Sequence, residues 1–306
     1  MMPVVSLVHD RYPIAQSVLN QSFYGLGKVR HYLFDENPGV HSDFVVTFGH
    51  IPWSVRPWWD SIPTHRKIAV LPENPLIFFP DRTYLEQHGL VISPAVPLGS
   101  DRVTTRWVFS HGGVPWFYGH EYSTRHGTSH VNLSKRDTPC LEYHVERPPP
   151  VKSKLLSMVT STKRGLEGHR FRLALRDALR LKFGDQEFQT FGFGGEHPVS
   201  AKRDAIDPFQ FTVVVENSFI DNYMTEKICD AYLGYCQPIY FGASNIQKFF
   251  DAQILNGPTH DIDEGVAFVL ASIDRDISKV DLVANRNNVM LRNNLLYHLS
   301  YILDNL

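Results

Sequence analysis

Apolar residues fall along this chain in short runs, each closed by Pro, Gly, Asp or His. In the first half the runs occupy residues 4–8, 44–48, 67–71 and 90–92. Such unbroken runs, without polar alternation, predict strands buried on both faces, as in a parallel sheet. Between them lies aromatic, proline-rich material: Ile51-Pro52-Trp53, Arg56-Pro57-Trp58-Trp59, Pro72-Glu73-Asn74-Pro75 and Pro115-Trp116-Phe117-Tyr118-Gly119. Proline fixes the backbone and interrupts helices, so these read as ordered loops rather than helices. Their flat rings suit the apolar faces of sugars, with packing onto the core as the equal alternative.

After a polar, irregular stretch come Pro148-Pro149-Pro150, a stiff extended connector and the expected domain boundary. Beyond it, strands are expected at 155–160, 188–193, 211–215 and 239–241, alternating with helices at 168–182, 225–235, 245–250 and 264–272. A longer helical region spans 276–303. In the first of these helices Phe171, Ala174, Leu175, Ala178 and Leu179 make an apolar face. This alternation predicts an α/β fold with mostly parallel sheets. The expected domains are residues 1–147 and 148–306, with the last helix packing back on the first.

Length and composition bound the function. The chain has 306 residues, 43% of them hydrophobic and 12% aromatic, enough for packed cores and contrary to wholesale disorder. Thirty basic against thirty-two acidic residues leave a net charge of -2, which argues against a general nucleic-acid binder. Cys140, Cys229 and Cys236 are too few for a disulfide scaffold and read as buried or half-buried thiols, the latter two within one predicted helix. Neither a signal peptide nor an 18-residue apolar span is evident, so a soluble cytoplasmic protein is expected, with the inner membrane surface as a second location. Asn132-Leu133-Ser134 fits a glycosylation sequon, without meaning in that compartment.

Candidate chemistry concentrates at the end of the strand at 211–215, where Glu216, Asn217 and Ser218 follow. Ligands of open parallel sheets bind beyond the carboxyl ends of the strands. The next helix opens Thr225-Glu226-Lys227: Thr225 is a candidate cap, Glu226 suits a ribose diol, and Lys227 suits a phosphate at the helix N-terminus. An ordinary solvated helix start is the alternative. Arg170 is the guanidinium best placed to hold phosphate oxygens, helped by Lys163 and Arg164, whereas Arg172, Arg176 and Arg180 are expected to solvate the helix. Glu73, on a rigid loop after the strand at 67–71, is a candidate general base. Asp261-Ile262-Asp263 reads as a helix cap before a metal site, and Gly192-Phe193-Gly194-Gly195 lacks a dinucleotide fingerprint.

The run Phe211-Thr212-Val213-Val214-Val215-Glu216-Asn217-Ser218-Phe219-Ile220-Asp221-Asn222-Tyr223-Met224-Thr225-Glu226-Lys227 resembles the signature of the α1,3/α1,4-fucosyltransferase family (glycosyltransferase family 10). That signature is an apolar strand, Glu-Asn-Ser/Thr, a short loop and Tyr-x-Thr-Glu-Lys. The likeness continues through Asp230-Ala231-Tyr232 and Pro238-Ile239-Tyr240-Phe241-Gly242 and is closest in character to bacterial members. It covers residues 154–271; before them only Pro72-Glu73-Asn74 stands out.

The resemblance implies two Rossmann-like domains facing across a cleft (GT-B type), acceptor domain first. It implies an inverting transfer of L-fucose from GDP-β-L-fucose to a glycan hydroxyl, α1,3-linked, with another deoxysugar or an inactive carbohydrate-binding relative as alternatives. Arg170 and Lys227 would bind the diphosphate, Tyr223 and Glu226 the nucleoside, Asn217 would lie beside the donor, and Glu73 would be the base. No metal would be obligatory, a divalent cation being at most stimulatory, and the partners would be a GDP-sugar and an oligosaccharide or glycoconjugate. A different α/β nucleotide enzyme, such as a sugar-nucleotide oxidoreductase, is disfavoured by the missing glycine fingerprint.

Overall fold

The computed structural model describes residues 2–9, 18–49, 51–78, 80–96, 103, 105–113, 116–120, 122–125, 128–131, 139–275 and 279–306. The sequon at Asn132, Pro115 and residues 276–278 of the last predicted helical region lie outside them. By internal packing the chain forms two units, one of residues 1–115, 138–145 and 293–306, the other of 116–137 and 146–292.

The first unit is built on a seven-stranded sheet. Its strands are β1 (Val4–His9), β2 (Lys28–Val29), β3 (Tyr32–Asp35), β4 (Phe44–Phe48), β5 (Lys67–Val70), β6 (Leu90–Ser93) and β7 (Arg106–Phe109), in the order β2-β3-β1-β4-β5-β6-β7. Among these described strands only the β2–β3 pair is antiparallel. The four apolar runs are all strands. The closing helix Leu295–Leu303 puts Leu295, Leu296, Leu299 and Leu303 into one cluster with Val5, Leu7, Val46 and Phe48. Asn294 caps it, its Oδ1 accepting the Leu296 N–H at 2.9 Å. The expectation of loops throughout the aromatic segments fails at Arg56–Trp59, which is a single helical turn. Pro57 sits in its first turn, where a missing N–H forfeits no helical bond.

The second unit holds a separate hairpin, β8 (Tyr122–Arg125) with β9 (Thr128–Val131), and a five-stranded, wholly parallel sheet. The sheet strands are β10 (Lys154–Val159), β11 (Phe188–Phe191), β12 (Phe209–Val215), β13 (Gln237–Phe241) and β14 (Leu255–Asn256), in the order β11-β10-β12-β13-β14. Helices α1 (Glu167–Arg180), α2 (Glu226–Leu233), α3 (Ile262–Ile273) and α4 (Lys279–Leu291) accompany it. From β10 the strand order runs outward in two directions, to β11 and to β12, which makes the gap between β10 and β12 the switch point where parallel sheets bind ligands. Asp261 is a cap, its Oδ1 accepting the Glu264 N–H at 3.0 Å. Helix α2 ends at Leu233, so Cys236 lies beyond it, and all three cysteines are free thiols. Residues 246–249 form a 3-10 turn, and the long region ending at 303 is two helices broken at 292–294.

Helix α1 starts against the end of β12. Its Gly168 N–H donates to the Asn217 carbonyl at 3.2 Å, and a Cβ on Gly168 would come 2.0 Å from the Glu216 carbonyl oxygen. Glycine is therefore a steric requirement there. Gly168→Ala is expected to lower stability in urea unfolding by about 1–3 kcal/mol. Gly165→Ala, where a Cβ would meet nothing within 4 Å, is the neutral control.

Candidate functional site

A cavity of about 670 Å³ opens in the second unit at the switch point, within the range typical of small-molecule sites. Residues 159–162 at and beyond the end of β10, residues 212–215 of β12, and Asn217, Glu226 and Lys227 line it. Three of the six expected site residues therefore share one cavity.

The carboxylate of Glu216, fully buried at the end of β12, organises this corner. Its Oε1 accepts the Thr225 N–H at 2.9 Å, and its Oε2 accepts the Thr225 hydroxyl at 2.7 Å and meets Lys227 Nζ at 3.2 Å. Thr225 does occupy the N-cap position of α2, but its hydroxyl makes no cap bond; it donates to Glu216 and accepts from Lys227 at 2.8 Å. The charged Lys227 donor takes the hydroxyl lone pair that a backbone N–H would otherwise use.

Lys227 is held rather than mobile. Burial works to lower its pKa, but the Glu216 and Glu226 carboxylates outweigh it and raise the value above the ordinary one, so the group stays an ammonium. Glu226 Oε1 lies 3.4 Å from Lys227 Nζ and 3.5 Å from Lys202 Nζ. Burial alone would raise its pKa; the two lysines and its hydrogen bonds instead hold it down at about 2. Lys202, on a 3-10 turn after β11, binds Asp230 Oδ2 at 2.6 Å. Burial pushes Asp230 up to about 6 against the pull of that lysine, with Glu226 adding to the rise.

The guanidinium in the cavity belongs to Arg172, not to Arg170. Arg172 is 5% exposed and donates to Ser161 Oγ at 3.1 Å and to Asn217 Oδ1 at 3.5 Å, while its buried Nε has no hydrogen-bond partner among the described residues. It bridges the loop after β10 and the end of β12. Arg170 is exposed and donates to the carbonyls of Arg164 at 3.2 Å and Gly165 at 3.4 Å. The helix period explains the exchange: Gly168, Arg172, Leu175 and Leu179 share the inward stripe, so an arginine on that stripe was the readable signal. The solvating role expected for Arg172 is thus corrected. Arg176 and Arg180 also do more than solvate: Arg176 donates to the Gly194 carbonyl and Arg180 to Thr190 Oγ1.

Tyr223 is 1% exposed and lies outside the cavity lining, its carbonyl accepting the Tyr240 hydroxyl at 3.3 Å. Glu73 belongs to the first unit, exposed on the loop after β5. The buried Asn74 next to it braces that loop by accepting the Leu76 N–H at 2.6 Å. Sequence reading missed Lys202, Asp230 and Phe117 as cavity residues. Lys202 and Phe117 lie in irregular segments without a period, whereas Asp230 sits on the buried face of α2, the signal that also marked Arg172. Among the described residues no group of three His, Cys, Asp or Glu side chains is arranged for a metal, and no helix is long and apolar enough to cross a membrane.

No protein-family profile matches the chain. Over 78 residues, 24% of the chain, it is 35% identical to an α-(1,4)-fucosyltransferase of Arabidopsis thaliana. Over 123 residues, 40% of the chain, it is 28% identical to the α-(1,3)-fucosyltransferase FucT of Helicobacter pylori. The matches span only 18% and 25% of those relatives. Among solved structures, an α1,3-fucosyltransferase with GDP-fucose superposes with a TM-score of 0.51 at 17% identity, covering 93% of this chain and 82% of the other. Anabaena HepE in complex with UDP and glucose gives 0.52 at 11% identity over the full length of both. At these identities the likeness establishes the fold, two Rossmann-like units of the GT-B kind.

The pKa of Glu226 fixes the sign of one pH effect. Depressed from 4.5 to about 2, it adds stability that is complete above pH 4.5 and lost as pH falls toward about 2. The difference in unfolding free energy between the wild type and Glu226→Gln should therefore shrink as pH falls below 4.5. A difference that grows below pH 4.5 would contradict the ion-pair assignment.

Proposed function

We propose that this chain, a relative of the α1,3/α1,4-fucosyltransferase family by sequence and fold, transfers L-fucose from GDP-β-L-fucose to a hydroxyl of a glycan acceptor with inversion, forming an α1,3-type linkage. The observation that carries the proposal is the switch-point cavity, where Arg172 and Lys227 supply fixed positive charge beside Glu226 and Asn217. In this reading Lys227 and Arg172 hold the diphosphate, Arg172 taking the part expected of Arg170. Glu226 accepts from the ribose diol and Asn217 lies beside the donor, while the buried Tyr223 supports the loop through its backbone.

The chemistry follows from where charge develops. The acceptor hydroxyl attacks the anomeric carbon opposite the diphosphate while Glu73, as general base, takes its proton. The sugar passes through an oxocarbenium-like state, and the departing GDP gains negative charge that the preorganised ammonium and guanidinium stabilise. A single displacement requires no covalent intermediate. Stimulation by a divalent cation is compatible with this scheme.

The test is nucleotide release from a panel of GDP-, UDP- and dTDP-sugars, with and without a glycan array. Release from GDP-fucose and a fucosylated array product are expected; release from another sugar nucleotide alone would overturn the donor, and GDP binding without turnover would identify a binding protein. Lys227→Ala and Arg172→Ala should each weaken donor binding roughly 10- to 100-fold, the worth of a hydrogen bond to a charged group. Arg170→Ala should change it less than about twofold, as for an exposed charge. Glu73→Gln should keep donor binding and lower kcat by roughly 10²- to 10⁴-fold; full activity in a folded variant would place the base elsewhere.

A further inference from the structure

Lys227, Glu226, Lys202 and Phe117 form a sequence of neighbours through the cavity. Lys227 Nζ is 3.4 Å from Glu226 Oε1, Glu226 Oε1 is 3.5 Å from Lys202 Nζ, and Lys202 Nζ is 5.3 Å from the centre of the Phe117 ring. If Lys227 meets phosphate and Glu226 meets ribose, the next group along the line stands where a nucleobase would lie. That group is an aromatic ring with an ammonium over one of its faces, which leaves the other face for a base. A flat ring offers a stacking face to a base, and an ammonium can donate to a carbonyl oxygen on the base edge.

The ring is also held in place. Asp230 Oδ1 accepts the backbone N–H groups of both Phe117 and Tyr118 at 2.9 Å, while its Oδ2 binds Lys202. Tyr118 is 1% exposed; its hydroxyl donates to Asp207 Oδ1 at 2.6 Å, and Arg147 binds Asp207 Oδ2 at 2.6 Å. The Tyr118 ring lies against Gly234, where a Cβ would come within 2.8 Å of it. Trp116 and Tyr118 are both buried, whereas Phe117 between them is only partly so and lines the cavity. A buried Trp116 and an anchored Tyr118 thus flank the one ring that lines the cavity. Such fixing lowers the ordering cost of binding.

We infer that Phe117 is the nucleobase-facing wall of the donor cavity and that Asp230 is the positioning residue that latches it there. The inference rests on the donor-site reading above. It assigns to the nucleotide a residue that precedes the triple proline in sequence.

The experiment is titration of the full chain with GDP and, separately, with inorganic pyrophosphate, which has the phosphates but no base. Phe117→Ala should weaken GDP roughly tenfold, as removal of a stacking ring does, and leave pyrophosphate unchanged. Phe117→Trp should restore GDP binding. Asp230→Asn should weaken GDP in preference to pyrophosphate; since Asp230 is buried, the fold of that variant is checked by circular dichroism, and Phe117→Ala is the deciding measurement. Equal loss of both ligands, or unchanged GDP affinity in Phe117→Ala, would overturn the inference while leaving the donor site standing. A wild type that binds UDP but not GDP would instead overturn the donor assignment, and the same comparison would then be read with UDP. A wild type that binds no nucleoside diphosphate would overturn both.

Discussion

The corner where β12 meets α2 depends on one buried negative charge. Glu216 has no exposed surface, and a carboxylate so placed is tolerable only if paired and hydrogen-bonded. Its partners come from the start of α2: the N–H and hydroxyl of Thr225 and the ammonium of Lys227. Strand end and helix start are thereby bound across the loop at 217–224. That loop has its own fixed shape, with Asn222 at φ 61° and its N–H donating to Asn245 Oδ1 at 2.8 Å. Because the carboxylate must be satisfied, the position of Lys227 is set by folding rather than by ligand.

The interleaving of acids with bases has a chemical consequence. Glu216, Glu226 and Asp230 alternate in space with Lys227 and Lys202, and the carboxylates beside the half-buried Lys227 keep it charged. A purely cationic pocket would accept any anion. Here a bare anion would meet carboxylates as well as ammonium groups. In the proposed reading a nucleotide brings a diol for Glu226, and selectivity would then come partly from repulsion.

The sheets were legible in the sequence because buried parallel strands leave apolar runs that little else produces. The runs at 44–48 and 211–215 are cases in point. Strands β3 and β7 were not legible: Tyr32–Asp35 is short and alternating, and Arg106–Phe109 is half-exposed, so neither leaves such a run. Glu226, Lys227 and Asn217 were found from a strand end followed by a charged helix start and from the motif around them. Arg170 was expected in the cavity from chain order along the helix; the inward stripe through Gly168 and Leu175 brings Arg172 there instead. Phe117 was beyond reach of any local pattern, since it enters the cavity through backbone bonds to an aspartate 113 residues away.

The helix Leu295–Leu303 has a bearing on how the molecule is made. Its leucines complete a core to which Val5 and Leu7 also belong, so parts of that core far apart in sequence leave the ribosome at well-separated times. Residues 146–292, which hold the five-stranded sheet, are finished first and can close their own core during synthesis. Until Leu303 is available, the part of the Val5 and Leu7 core which these leucines fill stays open, although Val18, Val29, Phe34 and Ile68 already belong to it.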